Sequence, residues 1–276
     1  MCRGVRSCLS ENINATFQIE RNVLSVFRNL FHINSNVLHN IRMFIKVFVS
    51  HNYLRFLNFL SIHFSYFTVN YLPSYDLILV SLLIKPDWLV KYSPMGKVPL
   101  LIHHGEKLLE SDLIMRFIDE LHGEKTSLMT VCGIENFQKA AELAKKFFGP
   151  GHSILYETDL NESDVVQFYE ACSELENSLK SKYFTGDQLS LADLVLFPLI
   201  DYFEVILSVI HNIELDHVHE LKMSDALNEA NKWPNLVNYL TTMRQESFVV
   251  NIRKSTRIKA KYASSKRAGC PNPEIQ

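Results

Sequence analysis

Apolar and polar positions fall into two regimes along this chain. From Tyr75 onward they keep regular periods with clear punctuation. Residues 76–83 read Asp-Leu-Ile-Leu-Val-Ser-Leu-Leu. That short run of branched apolar residues predicts a buried strand. Lys85-Pro86-Asp87-Trp88 opens a short helix with proline at its start. Residues 97–102 predict a second strand. Pro99 within it cannot donate to a central ladder, which marks an edge or a cis-proline turn beside a site. His103-His104-Gly105-Glu106 reads as an exposed hairpin turn, and residues 107–109 as the return strand.

A helix follows, with Ser111 as its N-cap. Leu113, Ile114, Phe117, Ile118 and Leu121 line one face at helical spacing, and Gly123 supplies the stop. From residue 135 to about 250 the period is helical throughout. Segments 134–148, 161–182, 190–211 and 234–246 have sensible ends. Ser190 and Asp193 form a capping box, with Leu189 and Leu194 as its hydrophobic staple. The predicted class is α+β: a small mixed unit over residues 73–123, then an all-helical unit over residues 134–250. Residues 251–276 read as a basic, disordered tail.

Residues 1–72 follow neither period. They contain no proline, one glycine, ten asparagines and half of the 18 phenylalanines. Folded α/β segments use glycine and proline as punctuation, so the fold of this stretch is open. Translated intron and a genuine helical extension both account for its composition. Arg42, Lys46, His51, Asn52 and Arg55 break its apolar run, so no span of about 18–20 apolar residues forms. It does not read as a secretory signal, and its length and phenylalanine content argue against a transit peptide.

Charge sharpens the division. Residues 1–72 carry seven Lys/Arg against two Glu, and residues 251–276 carry seven against one, so residues 73–250 hold a net charge of −13. An acidic body with basic ends is not a nucleic-acid-binding pattern for the body. Five scattered cysteines (Cys2, Cys8, Cys132, Cys172 and Cys270) form neither a disulfide framework nor a zinc module. They indicate a reducing, cytoplasmic setting. No histidines show metal-ligand spacing, and no metal is expected.

Three groups of residues carry a resemblance. They are Lys85-Pro86-Asp87-Trp88; the run Ser93-Pro94-Met95-Gly96-Lys97-Val98-Pro99 with Glu110-Ser111 downstream; and Ser190-Leu191-Ala192-Asp193. In this order they resemble the glutathione transferases, most closely the omega class. The resemblance covers residues 73–250. It implies a partial thioredoxin-like domain followed by the family's helical domain, usually in a homodimer. Glutathione would be the co-substrate, beside a small thiol, disulfide or electrophile. The backbone of Val98 beside Pro99 would pair with the cysteinyl part of glutathione like an added strand. Glu110 and Ser111, at a helix N-terminus that favours an anion, would take the γ-glutamyl end. Lys85 would face the glycine carboxylate as a point charge.

The omega-class resemblance also implies a nucleophilic cysteine at the start of the first helix, about 27 residues before the Lys-Pro pair. That position falls near Leu57 and Asn58, where this chain has no cysteine. Three functional expectations follow. The first is an omega-like transferase with thiol-transferase or dehydroascorbate-reductase chemistry. The second is a non-catalytic module that binds glutathione or a protein. The third is surface association with a membrane through the basic, phenylalanine-rich N-terminus.

Overall fold

The computed structural model describes residues 86–121, 123–213, 215, 232–250 and 252–269, together with the backbone of two strands, Ile45–Ser50 (β1) and Tyr75–Val80 (β2). The two strands pair in parallel, Ile45 opposite Tyr75 and Ser50 opposite Val80. After the short helix α1 (Asp87–Tyr92), strand β3 (Leu100–His103) runs antiparallel to β1, and β4 (Glu106–Leu109) returns along β3. The sheet order is β2-β1-β3-β4. A strand at 45–50 therefore belongs to the sheet, inside the stretch whose fold composition left open. The strand expected over 76–83 is observed over Tyr75–Val80.

Side chains alternate across β3, and this explains the layers. Leu100 and Ile102 face one side, where Leu89 and Tyr92 of α1 pack with Val98 and Leu109. Leu101 and His103 face the other, where the His103 ring meets Phe117 of helix α2 (Ser111–Leu121) at 5.5 Å. The exposed turn expected over residues 103–106 holds only in part. His104 and Gly105 form the two-residue loop with φ of 49° and 86°, the left-handed pair that a tight hairpin requires. His103 ends the strand and is buried. Burial, aided by the neighbouring His104, lowers its pKa to about 4.

Asp119, near the end of α2, is fully buried and caps the next helix. Its carboxylate accepts bonds from Leu128 N–H at 2.7 Å, Met129 N–H at 3.0 Å and the Ser127 hydroxyl at 2.6 Å. Burial raises its pKa despite those three bonds. The helix it caps, α3 (Leu128–Tyr156), is longer than the expected 134–148. Gly133 interrupts it with a φ of 71°, which explains the apparent start at residue 134. Gly149-Pro150-Gly151 does not stop it. Gly151 instead lets α3 press against Phe168 of α4 (Glu162–Ser178) and Ile206 of α6 (Phe203–Ile210). The single helix expected over 190–211 is two, α5 (Leu191–Ile200) and α6, separated at Asp201 and Tyr202.

The capping box at the start of α5 forms as expected. Asp193 does more than cap. One carboxylate oxygen accepts from Phe184 N–H at 2.7 Å and the Tyr239 hydroxyl at 3.1 Å, and the other from the N–H and hydroxyl of Ser190. Tyr239 lies in α7 (Pro234–Gln245), which leads through the short α8 (Ser247–Val250) to the C-terminal segment. The expected disordered tail is corrected here: residues 256–267 form helix α9 (Thr256–Arg267). Ser255 caps it, and Lys259, Ala260 and Ala263 are buried against the helical core. The high lysine and arginine content suggested disorder, but two alanines and a buried lysine with a carboxylate partner dock the helix.

Two outcomes follow from these contacts. Asp193→Ala removes four hydrogen bonds in the core and should cost about 3 kcal/mol of unfolding free energy in urea titrations. His103 has a folded pKa below its unfolded value, so the unfolded chain binds more protons between pH 6.5 and about 4. Its contribution is constant above that window and turns against the fold as pH falls through it. The urea midpoint of the wild type should drop over this range, and His103→Leu should flatten the drop.

Candidate functional site

Val98 and Pro99 precede the first strand of a hairpin, Glu110 and Ser111 follow its second, and the pairing of the two strands brings all four together. β3 begins one residue after Pro99, and β4 ends one residue before Glu110. Because Leu100 pairs with Leu109, the two strand ends meet at the same edge. They frame a cleft of about 360 Å³ whose walls are Ser93, Pro94, Met95, Lys97, Val98, Pro99, Leu109, Glu110 and Ser111.

The wall over residues 93–97 is held by its own turn. The buried Ser93 accepts a bond from Lys97 N–H at 2.9 Å through its hydroxyl, and its carbonyl accepts from Gly96 N–H at 2.7 Å. The Val98–Pro99 peptide is cis, as the sequence flagged. Val98 stands just outside the β3 ladder, at the cleft.

The opposite wall is the start of α2. Ser111 was expected as the N-cap; instead it is the first helical residue. The Glu110 carbonyl accepts the first helical bond, from Ile114 N–H at 3.1 Å, so Glu110 holds the capping position. The first-turn N–H groups have no partners within the helix and make its start attractive to an anion. Glu110 has a φ of 71°. A residue with a β-carbon pays about 1–2 kcal/mol for that region. Non-glycine residues held there cluster at functional sites.

The cleft thus offers an exposed ammonium at Lys97, an exposed carboxylate at Glu110, and a helix N-terminus beside the Ser111 hydroxyl. That set complements a small molecule carrying both an amine and carboxylates. Sequence reasoning assigned no role to Lys97 or Met95, which lie within the same Ser-Pro-Met-Gly-Lys-Val-Pro run. Asp119 was also missed, because nothing local shows that its partners lie across the next turn. Lys85, Leu57 and Asn58 lie outside the described residues. Cys132 and Cys172 are buried free thiols, and burial raises both their pKa values. Among the described residues no three His, Cys, Asp or Glu side chains converge as a metal site. Nor is any described helix long and apolar enough to cross a membrane.

Comparison with known proteins places this architecture. The model of the glutathione S-transferase N-terminal domain matches residues 64–126, and that of the C-terminal domain matches residues 156–246. The two matches together span more than half of the chain, which belongs to the glutathione S-transferase family. A rice protein described as probable glutathione S-transferase DHAR2, chloroplastic, is 29% identical over 180 residues, 64% of this chain and 59% of its own length. Glutathione S-transferase U27 of Arabidopsis thaliana is 33% identical over 129 residues, 43% of this chain and 56% of its own length. The chain thus spans less than two thirds of these relatives. Among solved structures, rice GST1 in complex with glutathione superposes with a TM-score of 0.64 at 14% identity, covering 83% of this chain and 98% of that one. Dehydroascorbate reductase of Chlamydomonas reinhardtii gives 0.58 at 20% identity, covering 81% and 97%. At these identities the likeness is one of fold.

The conformation of Glu110 separates its structural cost from its chemistry. Glu110→Gly should raise thermal stability by the equivalent of about 0.5–1 kcal/mol, while removing the only carboxylate among the described residues of the cleft wall. A melting curve checks the first effect and ligand titration the second.

Proposed function

We propose that the cleft between residues 93–99 and the start of α2 binds glutathione, and that the chain is an omega-like transferase of the thiol-transferase or dehydroascorbate-reductase type. The observation that carries this reading is the meeting of Val98, Glu110 and Ser111 in one cleft. The γ-glutamyl carboxylate would sit at the α2 N-terminus, accepting from the first-turn N–H groups and the Ser111 hydroxyl. The γ-glutamyl ammonium would pair with Glu110. The Val98 backbone would hold the cysteinyl unit as an added strand, leaving the thiol at the mouth of the cleft. Lys85 would face the glycine carboxylate.

The relatives named DHAR and the algal dehydroascorbate reductase support the reaction class. In that reaction two glutathione thiols lose two protons and two electrons to form the disulfide, and the acceptor gains them. The omega-class scheme routes this through a protein thiolate near Leu57 and Asn58, which this chain does not supply. Neither Cys132 nor Cys172 replaces it, because burial keeps both protonated.

That departure favours a second reading, a glutathione-binding module without thiol-transferase turnover. A homodimer in a reducing, cytoplasmic setting is proposed with either reading, on family habit and cysteine usage.

Calorimetry with reduced glutathione tests the shared claim. The wild type should bind, and Ser111→Ala should weaken binding about tenfold, equivalent to about 1.4 kcal/mol. Absence of binding by the folded wild type would overturn the assignment. Glutathione-dependent reduction of dehydroascorbate then separates the two readings: turnover supports the transferase, and binding without turnover supports the module.

A further inference from the structure

At the break between α5 and α6, Asp201 gathers cations from three separate segments. Its carboxylate accepts from Arg244 Nε of α7 at 2.8 Å, from Arg253 Nε of the following linker at 3.1 Å, and from the Lys259 ammonium of α9. Lys259 also donates to the Asp201 carbonyl at 2.7 Å. Arg244 makes a second, bidentate pair with Glu204. Asp201, Glu204 and Lys259 are each about 2% exposed. The Lys259 ammonium lies 4.9 Å from the centre of the Tyr202 ring.

The charges do not balance. Among the described residues the clasp holds three cations and two carboxylates. An unmatched charge out of water is costly. The two arginines keep their protons throughout the accessible pH range. Lysine is the one member that can release its proton to the medium.

We propose that α9 is a latch on the helical domain that closes more tightly as the medium becomes alkaline, because closure with Lys259 neutral balances the clasp. Burial, with Arg253 and Arg244 opposing Asp201, lowers the Lys259 pKa to about 8. Once α9 undocks, the lysine returns to its ordinary value of 10.5. The docked state therefore binds fewer protons than the undocked state between these values, and docking gains as pH rises through 8. Of the neighbouring groups, Lys266 on the same helix is also lowered by burial and favours docking in the same direction. Burial raises the Tyr202 and Tyr156 hydroxyls and lowers His152. Asp201 is held down to about 2: burial alone would raise it, and Lys259, Arg244 and Arg253 outweigh that.

The remaining attachments of α9 suit a latch rather than a core helix. Lys266 sits 3.7 Å from the Tyr156 ring, and Arg267 donates to the Thr158 carbonyl at 3.3 Å. Residues 252–269 carry seven Lys/Arg and no acidic residue. The fully buried apolar side chains of α9 are the small Ala260 and Ala263, with Ile258 and Tyr262 half-buried.

Limited trypsin digestion of the full chain tests the proposal, since the segment is rich in cleavage sites. Cleavage within residues 253–267, relative to a free peptide of the same sequence at each pH, reports the undocked fraction. For the wild type it should fall about tenfold between pH 7 and pH 9. In Lys259→Met the clasp is already balanced, and the fall should shrink to the part that Lys266 contributes. In Arg253→Met, Lys259 keeps its proton, and the fall should move above pH 9. A flat profile in the wild type, or an undiminished fall in Lys259→Met, would overturn the latch. Should Lys259→Met fail to fold by circular dichroism, the shift in Arg253→Met decides.

Discussion

The Asp119 carboxylate joins the two halves of this fold. Helix α2 begins at the cleft with Ser111 and ends where Asp119 caps α3. The helix whose first turn would receive an anion is thereby fixed, at its other end, to the helical domain. Three short hydrogen bonds to one buried carboxylate make that junction directional. Hydrophobic contact alone would not, because apolar burial fixes proximity and leaves orientation loose. The position of the α2 N-terminus relative to Val98 thus follows from two constraints: the β3–β4 pairing on one side and the Asp119 cap on the other.

The parts of this arrangement that were legible in the sequence share a property. Their determinants lie within a few residues of one another. The Val-Pro turn, the Glu-Ser pair before an amphipathic stripe, and the Ser190–Asp193 box each announce themselves locally, and the structure contains all three. The parts that were not legible depend on distant partners. His103 reads as a polar turn residue until Phe117 of α2 covers it. The helical segment expected over 134–148 runs on through Gly149-Pro150-Gly151, where Gly151 packs against Ile206. The C-terminal helix reads as a solvated basic tail because Asp201, which anchors it, lies 58 residues upstream of Lys259.

The same separation applies to function. The glutathione reading rests on residues that the sequence places in order and the fold brings into one cleft. The catalytic reading rests on a thiol that the sequence does not place near Leu57 and Asn58. Binding and turnover are therefore separate properties of this chain, governed by different segments. A complementary cleft needs only the edge of the sheet and the start of α2. Thiol transfer needs in addition an activated sulfur at the cleft mouth.

The central claim is that glutathione occupies the cleft at the start of α2. Backbone amide chemical shifts of the isotopically labelled chain, followed while reduced glutathione is added, test it most directly. The account predicts that the largest changes fall on Val98, Ser111 and the amides of the first α2 turn, and that the amides of α9 do not respond. Changes centred elsewhere, or none at millimolar glutathione, would contradict it.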